Sequence, residues 1–152
     1  MNEWSIRMAE RLRKQQSDKA NDSALFLEQQ RIKKEVGPLL WGQVVSEVTN
    51  NCSHLNAEIG QDVVAVEATP SSKLIVSART PAGSKQLRAE FNHDTFILSW
   101  SVNNKSGKYE VSIGSDRKPS FYPMTIEGQS MINWIPSSSK SITEEMLDAL
   151  LS

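Results

Sequence analysis

The sequence predicts an α+β fold in which an antiparallel sheet of five to seven strands packs against N-terminal helices and a short C-terminal helix. Three observations predict it. Between residues 62 and 113, short apolar runs alternate with turn residues at nearly regular spacing, which is typical of a β-meander. Before this stretch, apolar residues recur at intervals of three and four, the period of a helix. After it, a serine and a glutamate three residues apart precede a second run of helical period.

A chain of 152 residues is long enough for one ordinary core. We therefore expect a single domain with a helical segment at 1–36, a helix at 37–60, a sheet at 62–135 and a closing helix at 141–151. The net charge of -1 does not favour nucleic-acid binding. The single cysteine excludes an intramolecular disulfide, and no apolar run has the length of a secretory or membrane-spanning segment, so a cytoplasmic location without a membrane partner is expected.

The N-terminal segment has an apolar stripe followed by a polar stretch. Trp4, Met8 and Leu12 lie at i, i+4 and i+8, along one face of a helix. Residues 13–22 offer almost nothing to bury, and Asp22 or Ser23 could cap a second helix that begins with the apolar residues 24–27. One long helix and two shorter helices are both compatible with this pattern.

Gly37 and Pro38 predict a helix stop and restart, because glycine suits the end of one helix and proline the first turn of the next. The helix that follows carries a wide apolar face, and Gly60 is expected to end it. Gly42 lies inside this helix, where glycine is unfavourable, so we expect a neighbouring backbone to come close to it. The apolar face consists of Leu40, Trp41, Val44, Val45, Val48, Cys52 and Leu55.

Five strands are predicted, at residues 63–68, 73–80, 85–92, 95–102 and 108–114. Side chains alternate across a strand, so one face of this sheet is apolar and the other polar. Residues 115–123 read as a loop, and Pro119 and Pro123 keep the residues between them out of a central strand position. Residues 124–127 and 131–135 could form a last hairpin. Ser141 and Glu144 have the spacing of a capping box at the start of the closing helix. The predicted core face consists of Leu74, Val76, Ala78, Leu87, Ala89, Phe91, Phe96, Leu98, Trp100, Val102, Tyr109, Val111 and Ile113.

No catalytic residue, metal site or cofactor site is predicted. Cys52 and His54 are two residues apart in a helix, which points them about 200° apart and away from a common ion. His93 and Asp94 read as a polar turn. The serines lack the sequence of a nucleophile elbow, and Cys52 lies on the apolar face of its helix.

The leading functional hypothesis is a non-enzymatic interaction or assembly domain that binds a second copy of itself, or another protein, through Trp4, Met8 and Leu12. The alternative is a ligand-binding protein or enzyme with a pocket between the helix at 38–56 and the aromatic face of the sheet. The polar face of the sheet carries Arg79, Arg88 and Lys108, which could bind an anionic ligand or a peptide.

Overall fold

The computed structural model describes residues 2–69, 72–114, 116–124 and 135–152, and it contains two helices and six strands in those ranges. The chain divides into two compact units, Met1–Ile32 and Lys33–Ser152, and the first helix contributes residues to both. The elements are α1 (Glu3–Ile59), β1 (Val64–Thr69), β2 (Lys73–Thr80), β3 (Gly83–Asn92), β4 (Ile97–Val102), β5 (Lys105–Ile113), β6 (Pro119–Pro123) and α2 (Ser139–Leu151).

The six strands form one antiparallel sheet in the order β1-β2-β3-β4-β5-β6. Each strand pairs with its neighbour in sequence, so the predicted meander and the α+β class are confirmed. One face of the sheet is buried as predicted, and only Ile113 among its predicted members is half-buried. The helices cover this face with residues spaced by three and four, namely Trp41, Val44, Val48 and Cys52 from α1 and Ile142, Met146 and Leu150 from α2.

The sixth strand lies where a loop was predicted. Pro119 pairs with Ile113 and Pro123 pairs with Tyr109, so the two prolines sit at the two ends of β6. A proline cannot donate a hydrogen bond to a neighbouring strand, but it is tolerated at the end of a strand and in the outermost strand of a sheet. β6 is the last of the six described strands, and among the described residues Phe121 forms a single bridge on its other side, to Ser137. The prediction of a loop was therefore wrong. The predicted last hairpin, at 124–127 and 131–135, falls mostly on residues 125–134, which lie outside the described residues.

Helix α1 runs through Gly37 and Pro38, so the predicted helix stop was wrong. Proline in a helix removes one hydrogen bond, and packing of the next turns through the buried Trp41 and Val44 offsets that loss. The glycine has a separate role. A Cβ atom at Gly37 would lie 3.1 Å from Cζ of Phe91, so the absence of a side chain lets the helix approach the sheet.

The structure also tests three smaller predictions, which concern Gly42, Gly60 and the start of α2. A Cβ atom at Gly42 would meet no atom within 4 Å among the described residues, so the close approach expected there was wrong. Gly60 has a φ of 82° and follows the last residue of α1, as predicted for a left-handed helix end. The cap of α2 is Ser138 rather than Ser141, because the Ser138 hydroxyl accepts a hydrogen bond from the Ser141 amide at 3.1 Å.

Candidate functional site

The N-terminal helical unit exposes large apolar side chains near both of its ends. Trp4 is 60% exposed and Leu12 is 52% exposed, while Met8 between them is half-buried. A second group, which we call the distal cluster, consists of Leu25, Phe26 and Leu27, exposed by 59%, 59% and 67%. Single exposed apolar residues are common on protein surfaces, whereas groups of them mark interaction sites.

The sequence predicted the first of these groups and missed the second. Trp4, Met8 and Leu12 follow a helical period that identifies a face. The distal cluster consists of consecutive residues, which point in different directions around a helix, so its pattern does not identify a face. The signal that could have found it is the excess of adjacent large apolar residues beside a strongly polar stretch.

Helical geometry places one member of the distal cluster in line with the first group. Eighteen residues correspond to about five turns at roughly 3.6 residues per turn, so Phe26 projects in the same direction as Met8. Trp4 and Leu12 lie about 40° to either side of that direction. We call these four residues the apolar stripe. Between Leu12 and Phe26 the same direction is occupied by polar residues, among them Gln15 and Lys19.

A ridge of charged residues runs beside the apolar stripe, and the sign of its charge changes along the helix. The ridge consists of Arg7, Arg11, Lys14, Asp18 and Asp22, each three or four residues from the next. Its first three members are basic and its last two are acidic. In the described part of the chain, no ion pair joins these five side chains to one another. The nearby pair of Arg31 and Glu28 does form, and its hydrogen bond lowers the pKa of the Glu28 carboxyl.

The polar face of the sheet does not bring the three predicted basic residues together. Arg79 pairs with Ser84, and Arg88 lies four residues further along β3, so their Cα atoms are about 14 Å apart at ordinary strand spacing. Lys108 is two strands from Arg88 and two residues along, at about 12 Å. Arg79, Arg88 and Lys108 are therefore not ligands of one compact anion.

Arg88 lies instead in a shallow depression of about 370 Å³ on the polar face. Lys73 and Glu90, which are directly opposite each other on β2 and β3, lie at one side of it. The hydroxyls of Ser99 and Ser101 on β4 lie at the other side. The depression therefore combines two cations, one carboxylate and two neutral hydrogen-bonding groups. Lys73 was not predicted as a member of this site, because the strand register that places it opposite Glu90 cannot be read from the sequence alone.

The space between α1 and the aromatic face of the sheet is occupied by side chains. The ring of Trp41 stacks on Phe91 with a centroid separation of 6.1 Å, and the ring of Phe121 packs edge-on against Phe91, also at 6.1 Å. Nε1 of Trp41 and Nε1 of Trp100 are buried, and neither has a hydrogen-bond partner within the described ranges. The predicted ligand pocket remains a prediction, and the packing of these rings does not favour it.

The side chains considered for metal binding and nucleophilic catalysis do not form a cluster among the described residues. Among the described residues, no group of three His, Cys, Asp or Glu side chains could hold a metal ion. Burial raises the pKa of the Cys52 thiol, which keeps it in the unreactive protonated form. His93 lies edge-on to Phe91 at a centroid separation of 5.0 Å.

Comparison with protein-family models, with curated proteins and with solved structures gives no significant match. A search of the described helices finds none that is long and apolar enough to cross a membrane.

Proposed function

We propose that this chain is a non-enzymatic assembly protein that self-associates through Trp4, Met8 and Leu12 on its N-terminal helix. The observation that carries the proposal is the exposure of two large side chains, Trp4 and Leu12, by 60% and 52% on the same helical stripe. Burying such side chains in an interface contributes about 1.5–3 kcal/mol each. Pairing of two such helices buries apolar surface that is exposed to water in a single copy, and this favours self-association.

The test is a double substitution, Trp4→Ser with Leu12→Ser, in the full chain. In a symmetric dimer this removes four apolar side chains, two from each copy, and so removes about 6 kcal/mol or more of association free energy. That loss corresponds to roughly a 10⁴-fold weaker dimer. The matched control is Leu39→Ser, because Leu39 is 66% exposed and lies outside the N-terminal unit.

Sedimentation velocity at several protein concentrations separates the outcomes. The proposal expects the parent chain and Leu39→Ser to associate with similar affinity and the double variant to remain monomeric. Equal association by all three chains would mean that assembly uses another surface. Far-UV circular dichroism of each chain shows whether the substitutions leave the fold intact.

A second candidate function is binding of an anionic ligand or acidic peptide in the depression around Arg88. The observation that favours it is the presence of Lys73 and Arg88 in one concave region with the hydroxyls of Ser99 and Ser101. Nε of Arg88 donates to Oε1 of Gln86 at 3.0 Å, which orients the guanidinium along β3. Its remaining N–H groups are suited to a carboxylate or phosphate.

This second candidate is tested with a short polyglutamate peptide as the probe. Arg88→Ala should abolish the binding measured by calorimetry, and Arg79→Ala should leave it unchanged because Arg79 lies about 14 Å away along the sheet. Binding that falls equally in both variants would indicate a diffuse charge effect. Absence of binding to the parent chain at low ionic strength would exclude the site for this class of ligand.

A further inference from the structure

The order of charges along the ridge indicates the orientation in which the N-terminal helix binds its partner. The basic members, Arg7, Arg11 and Lys14, precede the acidic members, Asp18 and Asp22, along the same side of the apolar stripe. In a pair of antiparallel helices related by a two-fold axis, residues on one side of the stripe face residues on the same side of the other copy. In a parallel pair, each side faces the opposite side instead.

The two orientations therefore bring different charges together. In an antiparallel pair the basic half of the ridge faces the acidic half of the other copy. In a parallel pair the ridge faces the far side of the stripe, where Ala9, Gln16 and Ala20 provide no charge. Only the antiparallel arrangement uses the change of sign.

The positions of the apolar residues are compatible with antiparallel pairing and define its register. The first group is centred on Met8 and the distal cluster on Phe26, so their midpoint is close to residue 17. An antiparallel pair centred there places Met8 opposite Phe26 of the other copy, and it places Arg11 within one position of Asp22. The polar stretch between the apolar groups then faces itself at the centre.

We infer that the partner of the N-terminal helix is a second copy of the same helix, bound antiparallel and centred near Ser17, with Phe26 completing the interface begun by Trp4, Met8 and Leu12. This inference rests on the proposed self-association. It adds the orientation, the register and the role of the charged ridge. The specificity for a second copy arises because one ridge carries both the cations and the anions that complement them.

Distances between spin labels in the full chain test the orientation. Ser5→Cys and Ser17→Cys are matched substitutions, since both serines are exposed on α1, and the buried Cys52 of the parent chain serves as the labelling control. Antiparallel pairing predicts about 35–40 Å between labels at residue 5, because 24 residues of helix at roughly 1.5 Å each separate the two sites. At residue 17 both arrangements predict roughly 25–35 Å, because Ser17 lies on the side of the helix opposite the apolar stripe, so this position is the reference for a paired helix. Parallel pairing predicts roughly 25 Å or less at residue 5.

Charge reversal gives an independent readout. Arg11→Glu and Asp22→Arg should each weaken the dimer by about five- to twenty-fold, because each replaces two attractive contacts with repulsive ones. The double variant with both substitutions should recover the parent affinity. A dimer with short distances at residue 5 and no recovery would overturn the antiparallel inference and leave self-association standing. A chain that is monomeric at every concentration would contradict both the antiparallel arrangement and the proposed self-association.

Discussion

The side chain of Asn56 attaches the last turn of α1 to the first strand of the sheet. Its Oδ1 atom accepts hydrogen bonds from the amides of Val63 and Val64 at 2.9 and 3.1 Å, and its Nδ2 atom donates to the carbonyl of Val64 at 2.9 Å. The amide group of Asn56 thus pairs with Val64 as a residue of an adjacent strand would. β1 is the first of the six described strands and pairs with β2 on one side, so Asn56 bonds backbone groups on the side of β1 that faces away from β2.

We predict that Asn56→Ala destabilises the fold by about 2–3 kcal/mol. Each of the three hydrogen bonds contributes roughly 0.5–1.5 kcal/mol net, and the half-buried position of Asn56 favours the lower part of the sum. In a chain of this size, 1 kcal/mol shifts the melting temperature by about 2–4 °C. The expected shift is therefore about 4–12 °C.

The assay is urea unfolding followed by circular dichroism, with hydrogen exchange of the Val64 amide as a local probe. Asn50→Ala is the matched control, because Asn50 is exposed on the same helix and no hydrogen bond of its side chain is present among the described residues. The control should lose less than about 0.5 kcal/mol. If Asn56→Ala and Asn50→Ala were equally stable, or the Val64 amide kept its protection, Asn56 would not hold β1 in place.

Three further predictions concern packing and ionisation. Gly42→Ala should stabilise α1 by about 0.5–1 kcal/mol in urea unfolding, whereas Gly37→Ala should not, because its methyl group would press on Phe91. Cys52 should react with a thiol reagent at the rate of unfolding, and rapid reaction of the native chain would contradict its burial. Partial desolvation raises the pKa of the Glu145 carboxyl, although this side chain is exposed, so ionisation of Glu145 slightly destabilises the folded state as pH rises. Glu145→Gln should therefore be slightly more stable than the parent at pH 7, and unfolding at pH 4 should show no difference.

The sheet was predictable from the sequence because its signals are local. Alternation of apolar and polar residues assigns each side chain to a face, and turn residues separate the strands, so the core from Leu74 to Val111 follows from the pattern. The errors came from residues whose local preference is outweighed by their position. Pro119 and Pro123 disfavour a central strand position, but they lie at the two ends of β6, the last of the six described strands.

The helix shows the same limit. Gly37 and Pro38 are strong stop signals, yet the packing of the following turns keeps α1 continuous. The candidate surfaces depended on information that no short stretch of sequence contains. The depression at Arg88 requires the register of β2, β3 and β4, and the link between Met8 and Phe26 requires an unbroken helix between them.

Self-association through the N-terminal helix can be tested by the solution mass, measured by light scattering over a range of concentrations. One chain has a mass of 17.0 kDa. We expect the parent chain to approach twice this mass as concentration rises, and the variant with Trp4→Ser and Leu12→Ser to stay at the mass of one chain. A parent chain that stays at 17.0 kDa throughout, or a variant that dimerises as the parent does, would contradict it.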